Sequence, residues 1–429
     1  MTYERRPVEP RRLIFANLVN RLMIEVPTPA YARSLSAVAH RKLWLAREGD
    51  IVVTPRPIAR HFREYACEIL GVDEARITML SPDAGDTELL ADAVQRSPIV
   101  EEVADAASSG RELEMLPFTI DEATLRLARE WQMPVAGYDP LPSPEVSELV
   151  SVLNTKSGFR ELVAGLGIPT LPGIKCKGRA ALESAIGEIV ADHGGAIVKC
   201  DRSSNGYGHL IVRPGSDIAG GVRQHFADTQ QPMEFTVEAL ANFVSVPSVE
   251  MIVSEDGVEL LYVCDQRCPN ASFSGMETPP RDLSYEHAET LLHAGRTFGE
   301  YLHTHGIRSV FDIDAGITAD DELYVTETNL RRTGGTYIDT LVRRLVCDPY
   351  EGRCAWLADS RPAGSLRDFA AGAKRLEAAG LAFDGESGVA LTADTLDIDS
   401  KWRYLIVAPT LADADVIERE AWDALGLGA

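Results

Sequence analysis

The stretch Asp314-Ala-Gly-Ile-Thr-Ala-Asp-Asp-Glu-Leu-Tyr-Val-Thr-Glu327-Thr-Asn329-Leu-Arg331-Arg-Thr-Gly-Gly335 decides how this chain is read. An acidic residue ends one apolar run, Val310–Ile317, and Glu-x-Asn-x-Arg ends the next, Glu322–Thr328. The polar Ala319-Asp320-Asp321-Glu322 lies between them, so the runs are predicted to pair as a hairpin with Asp314 opposite the Glu327/Asn329 end. Side chains two apart on a strand share a face, so Glu327 and Asn329 point together. Three hard oxygen donors then converge, a set that suits Mg²⁺ held by few carboxylates plus substrate phosphates. The stretch points to phosphate chemistry.

Outward from it, the bulk composition sets limits. A chain of 429 residues, 45% hydrophobic and 25% charged, is a globular protein of roughly two to four domains. No apolar run reaches the roughly 18 residues of a membrane span, so no membrane partner is expected. The opening Met-Thr-Tyr-Glu-Arg-Arg lacks a signal-peptide core. Seven scattered cysteines predict reduced thiols and a cytoplasmic protein. Cys264 and Cys268 sit four apart without a second pair at zinc spacing, which leaves them as small buried apolar residues. The net charge of -23 repels nucleic acid. It serves solubility or, alternatively, attracts a cationic substrate.

Along the chain, Arg12–Leu18 and Asp50–Thr54 are apolar runs followed by helical stretches, the pattern that begins a small parallel α/β sheet. Ile77–Leu80 and Leu116–Thr119 are further strand candidates, and Tyr138-Asp-Pro-Leu-Pro-Ser-Pro144 marks a boundary. Four units are expected: 1–145 as an N-terminal α/β domain, 146–245, 246–346 with the metal site, and a strand–helix tail at 347–429. In the second unit a helix capped by Asn154 or Thr155 runs to Leu166. The helix Arg179–His193, the strand Ala196–Cys200 and a polar loop Ser203–Gly208 follow. Phe235–Leu240, Val249–Ser254 and Glu259–Asp265 read as strands of a mixed sheet. A helix Ser284–His305 then precedes the hairpin.

Lys199 ends a strand before Asp201-Arg-Ser203-Ser204-Asn205-Gly206-Tyr207-Gly208. Glycines let amides turn toward a phosphate and the lysine adds charge, although Ser-Asn-Gly is also an ordinary hairpin turn. Lys156 at a helix start and Glu238 with Leu240 on a strand are unspecific alone.

Taken in order, these elements resemble the ATP-grasp superfamily from about Asn154 to Arg344. The spacing from Asp314 to Glu327 is similar to that of D-alanine–D-alanine ligases, and Glu327-Thr-Asn-Leu-Arg331 to the Glu-x-Asn-x-Arg run of biotin carboxylases. The resemblance implies an α/β ATP-grasp fold behind a Rossmann-like pre-ATP-grasp domain. It implies ATP phosphates on Lys156 and Lys199 beneath a Ser203–Gly208 lid, ribose on Glu238 and adenine on the backbone of Ala239-Leu240. Asp314, Glu327 and Asn329 would hold two Mg²⁺ ions, with Mn²⁺ an alternative. Arg331 would stabilise an acyl phosphate, with Arg267 and Arg308 as alternatives, and Thr333-Gly334-Gly335 would offer amides to a donor carboxylate, with Arg332 a second candidate there. Asp312 departs from the pattern, standing where some relatives carry arginine. It would add charge to the metal site or face a basic substrate.

The implied chemistry is carboxylate activation by ATP and attack by an amine, giving an amide, ADP and phosphate. The N-terminal strings Arg12–Leu18 and Gly49–Pro55, with the tail Trp402–Leu425, resemble the pheganomycin-type peptide ligases. That group joins a small non-proteinogenic amino acid, in the prototype a guanidino-acetic acid derivative, to a peptide amine in natural-product biosynthesis. The resemblance also allows a homodimer. Alternatives are a ligase making dipeptides from free amino acids, a non-catalytic ATP sensor, and a biotin-dependent carboxylase, for which no Met-Lys-Met-like attachment site is present.

Overall fold

The computed structural model describes residues 10–23, 28–108, 112–203, 206, 208–227, 233–269, 272–346 and 354–427. Its first sheet is parallel, with strand order Thr78–Leu80, Ile51–Val53, Arg11–Phe15, Leu113–Pro117. Parallel neighbours need crossovers, here supplied by intervening helices such as Arg60–Leu70. Helices cover the strands, so they read as continuous apolar runs; Leu13, Ile14 and Phe15 are all buried.

The second sheet is antiparallel, ordered Gly173–Lys177, Glu234–Ala239, Ala196–Cys200, Leu210–Val212. It is packed under the helix Arg179–His193. The third has nine strands: Leu323–Asn329, Val310–Thr318, Pro247–Ser254, Gly257–Arg267, Gly275–Thr278, Ala355–Pro362, Lys401–Ala408 and Gly388–Asp394, with Phe243–Ser245 added beside Val310–Thr318. The mixed sheet expected here is therefore two antiparallel ones, and Glu234–Ala239 lies apart from the strands that follow it. Short links such as Glu255-Asp256 allow only antiparallel pairing between neighbours.

The tail joins that nine-stranded sheet through Ala355–Pro362 against Gly275–Thr278. It also meets the N-terminal region. Trp44, fully buried, donates its indole N–H to the Thr392 carbonyl at 2.9 Å, and one apolar cluster holds Trp44, Phe62, Tyr337, Trp356 and Trp402. The strand Ala355–Pro362 and the helix Pro144–Leu153 were not anticipated.

The expectation of reduced thiols needs correction at Cys354, which is disulfide-bonded. Cys67, Cys176, Cys200, Cys264 and Cys268 are free thiols. Pairing follows tertiary proximity, which cysteine count and spacing do not reveal. Among the described residues no helix is long and apolar enough to cross a membrane.

The hairpin forms in the expected register, Asp312 opposite Asn329 and Asp314 opposite Glu327, with a bulge between Asp314 and Ala315. Such a bulge locally re-aims the strand beside the site. Asp321 takes a left-handed conformation (φ 67°) at the turn.

Candidate active site

Thr155 caps the helix Lys156–Gly165 by accepting from the Gly158 amide, which places Lys156 in the first turn. Asp201, two residues past Lys199, fixes that turn against the second sheet. It accepts from the Ser157 amide (2.7 Å), the Ser157 hydroxyl (2.8 Å) and the Thr236 hydroxyl (3.2 Å). Lys156 and Lys199 thus enter one buried region from different elements.

Each lysine meets a carboxylate. Lys156 Nζ lies 2.6 Å from Glu327 Oε2 and donates to the Ser203 carbonyl (3.2 Å). Lys199 Nζ lies 2.6 Å from Glu238 Oε2, whose other oxygen pairs with Arg160 at 3.0 Å. Burial pushes the Glu327 carboxyl up, but Lys156 and Lys199 outweigh it and hold it down near about 2. Asp314 goes the other way: burial, then Asp312 and Glu327, raise it. The Gln266 amide donates to Asp314 Oδ1, and the Ser248 hydroxyl also bonds its carboxyl. A lowered and a raised carboxyl therefore face each other across the hairpin.

Asp312 orients Asn329. The Asn329 amide donates to Asp312 Oδ1 (2.6 Å), and its Nδ2 donates to Oδ1 (3.1 Å) and Oδ2 (2.9 Å). Burial, then the Glu250 charge, pushes Asp312 up to about 7. The Asn329 oxygen accepts from Arg331 Nη2 (2.5 Å), so Arg331 stands beside the metal-site candidates. Among the described residues no three His, Cys, Asp or Glu form a metal cage. The opposed Asp314 and Glu327 nevertheless fit Mg²⁺, which takes one or two carboxylates and completes its shell with phosphate and water.

Beyond Arg331 the helix Gly334–Leu345 begins with a capping box in which Thr333 accepts from the Gly335 and Thr336 amides. The Thr333 hydroxyl donates to Glu250 Oε2 (2.7 Å), as does the Tyr262 hydroxyl (2.7 Å). A Cβ at Gly335 would lie 2.0 Å from the Tyr262 oxygen, so only glycine lets the helix start this close to the sheet. A cavity of about 520 Å³ runs along these groups. Its wall includes Asp312, Asp314, Glu327, Asn329, Arg331, Thr333 and Gly334 at one end, and Ser360, Thr392 and Lys401 from the tail at the other.

Some expected residues are placed elsewhere. Arg332 turns away, donating to the Pro117 carbonyl (3.0 Å), and lines a separate cavity of about 300 Å³ with Arg12, Arg47 and Arg308. Arg267 is held by Glu277, Asp359 and Glu418. The amides of Ala239 and Leu240 are already donated to the Pro172 and Gly195 carbonyls, so they cannot also donate to a base. Ser204, Asn205 and Tyr207 lie outside the described residues, while Gly206 lines the cavity.

Other side chains were missed. His209 lines the cavity beside Gly206, its buried Nδ1 without a partner, and burial, then Lys199, lowers it to about 4. Its place after the glycine loop was the available signal. Arg41 and Phe118 reach the cavity from the N-terminal region, and no local motif marks them.

A family model described as the pre ATP-grasp domain matches residues 39–133, and one described as the PGM1 C-terminal domain matches residues 373–421. No curated protein matches the chain. Similar solved structures include the ADP complex of purK, an N5-carboxyaminoimidazole ribonucleotide synthetase, with TM-score 0.58 and 14% identity over 97% of this chain and 97% of that one. The N5-carboxyaminoimidazole synthase of Aspergillus clavatus, with ADP and 5-aminoimidazole ribonucleotide, gives 0.57 and 15% over 97% and 98%. Biotin carboxylase of Campylobacter jejuni gives 0.60 and 13% over 96% and 91%. At such identities the likeness is one of fold. The chain has an ATP-grasp fold with a pre-ATP-grasp N-terminal domain, as the ordered motifs had implied.

Proposed function

On this fold, we propose that the chain is an ATP-dependent ligase joining a carboxylic acid to an amine through an acyl phosphate, with release of ADP and phosphate. The observation that carries the reading is the pairing of Asp314 with Glu327 across the hairpin, with Lys156 on Glu327 and Arg331 on Asn329. Two carboxylates, a lysine and an arginine meet at one end of a cavity large enough for small substrates.

In the proposed reaction Lys156 and Lys199 leave their carboxylate partners for the nucleotide phosphates. Glu327, freed of Lys156, and Asp314 opposite it would hold Mg²⁺, which would supply neutralisation of charge on the transferring phosphoryl group. Glu238, which keeps Arg160 when Lys199 leaves it, is assigned to the ribose. Arg331 lies where negative charge develops on the acyl phosphate and on the tetrahedral adduct. The donor carboxylate is assigned to the same end, beside Arg331. No covalent enzyme nucleophile is needed.

The narrower reading, a ligase of the pheganomycin type acting on a peptide amine, is supported by the tail, where the PGM1 C-terminal match also falls. A cationic guanidino donor finds less support. Asp359 and Asp399, the carboxylates at the tail end of the cavity, are already paired with Arg267 and Arg403.

The test is an ADP-release screen of pooled carboxylic acids with peptide and free amino-acid acceptors. Turnover confined to free amino acids would favour dipeptide synthesis. Glu327→Gln should lower ADP release by about 10²-fold or more, as expected for loss of transition-state charge stabilisation, with an unchanged far-ultraviolet dichroism spectrum. Full activity in that variant refutes the metal assignment.

A further inference from the structure

The cavity wall beyond Arg331 carries positive charge without an evident counter-charge. Arg41, on the N-terminal segment Val38–Leu45, lines it with its buried Nε unpartnered. Its guanidinium hydrogen-bonds the Tyr337 side chain, with its carbon 5.0 Å from the ring centre, and its Nη2 lies 4.0 Å from where Gly334 would carry a Cβ. The neighbouring Lys42 is 2% exposed, and its Nζ has no hydrogen-bond partner, only the Phe118 and Tyr337 rings at 4.4 and 5.2 Å. Arg331, also buried, leaves its Nε unpartnered.

Aromatic faces attract cations but do not satisfy their N–H donors, and a buried donor left unmade costs about 1–3 kcal/mol. The carboxylate facing this group is Glu250. Its Oε2 is taken by Thr333 and Tyr262, and burial pushes its carboxyl up to about 7. It is a poor counter-ion for two cations. The donors point to an anion from outside the chain.

We propose that Arg41, backed by Lys42, forms with the first turn of the helix Gly334–Leu345 a subsite for a substrate carboxylate other than the one being activated. The planar guanidinium fork matches a carboxylate. The activated carboxylate belongs at the Asp314–Glu327–Arg331 end, whereas Arg41 lies over Tyr337, one helical turn beyond Gly334. Phosphates belong with Lys156 and Lys199. The assignment rests on the ligase reading for which substrate carries the group: a second carboxylate of the donor, or the carboxylate of the acceptor.

The test measures binding by calorimetry to the full chain saturated with MgADP. The probes are glutarate against glutaramate for the donor, and glycine against glycinamide for the acceptor. Wild type should bind one carboxylate of these pairs about 10–100-fold more tightly than its amide, the range of one charge-assisted hydrogen bond. The pair showing the preference identifies the source. Arg41→Gln should abolish the preference, Arg41→Lys should keep part of it, and MgADP affinity should stay unchanged in both. Absence of any carboxylate preference in wild type, or its survival in Arg41→Gln, overturns the subsite. Failure of MgADP itself to bind refutes the ligase reading instead, so the two outcomes are separable.

Discussion

Replacing Arg267 by Met tests whether this residue serves structure or chemistry. Its Nη1 donates to Glu418 Oε1 (2.7 Å) and Oε2 (3.0 Å) and lies 3.4 Å from Asp359 Oδ2, while its Nη2 donates to Glu277 Oε2 (2.9 Å). The three carboxylates are 5–6% exposed at their side chains. Removing one partner of a buried pair costs about 3–5 kcal/mol, because the other charge stays buried. Glu277 keeps Arg281, and Asp359 keeps the Ser360 amide (2.7 Å), so the loss concentrates at Glu418, which retains the Tyr404 hydroxyl (2.8 Å). The expected cost is therefore at the low end, about 3 kcal/mol. Urea unfolding followed by tryptophan fluorescence measures it, with Trp422 as a local reporter through its N–H bond to Tyr404. The double variant Arg267→Met/Glu418→Gln should recover roughly half of the loss, since it removes the stranded charge. An unchanged unfolding midpoint refutes the clamp. Lost turnover with unchanged stability would return Arg267 to the chemistry.

Lys199→Met should raise the MgADP dissociation constant by about 10–100-fold while the fold persists, because Arg160 still neutralises Glu238; titration calorimetry decides it. Asp312 and Asp314 are both raised by burial, Asp312 to about 7, so protons compete with the metal below neutrality. Mn²⁺ affinity in the presence of ADP, read by electron paramagnetic resonance, should rise from pH 6 to pH 8, and a flat profile would contradict the assignment. The raised Asp312 carboxyl stabilises the nucleotide-free fold fully at pH below the ordinary carboxylate range, and that contribution is lost as pH rises through about 7. Asp312→Asn should therefore stabilise the protein relative to wild type at pH 8 more than at pH 5 in urea titrations. Trp44→Ala should cost about 3–5 kcal/mol, with proteolysis of the tail accelerated, since Trp44 fills the core shared with Trp356 and Trp402.

Much of the architecture was legible because its signals are local. The hairpin register follows from alternation and a polar turn, and Asp314 does face Glu327. The helix Arg179–His193 and the strand Ala196–Cys200 have the bounds expected of them. Strand direction was less legible. The mixed sheet became two antiparallel sheets, because a run of apolar residues does not state which neighbour it will pair with.

What the sequence by itself determined is therefore the ordered set of side-chain types: lysine, lysine, carboxylate, carboxylate, amide and arginine on named strands and helices. Chain neighbours in regular elements have fixed geometry, so their spacing encodes their relation. Only the tertiary structure decided that Arg331 faces the Asp314–Glu327 pair while adjacent Arg332 turns to the Pro117 carbonyl. It alone placed Asp312 on Asn329, clamped Arg267 among tail carboxylates, and brought Arg41 to the mouth of a helix nearly three hundred residues away. These are contacts between elements distant in sequence. Their partners are selected by packing and by the need to compensate buried charge, neither of which any local pattern records.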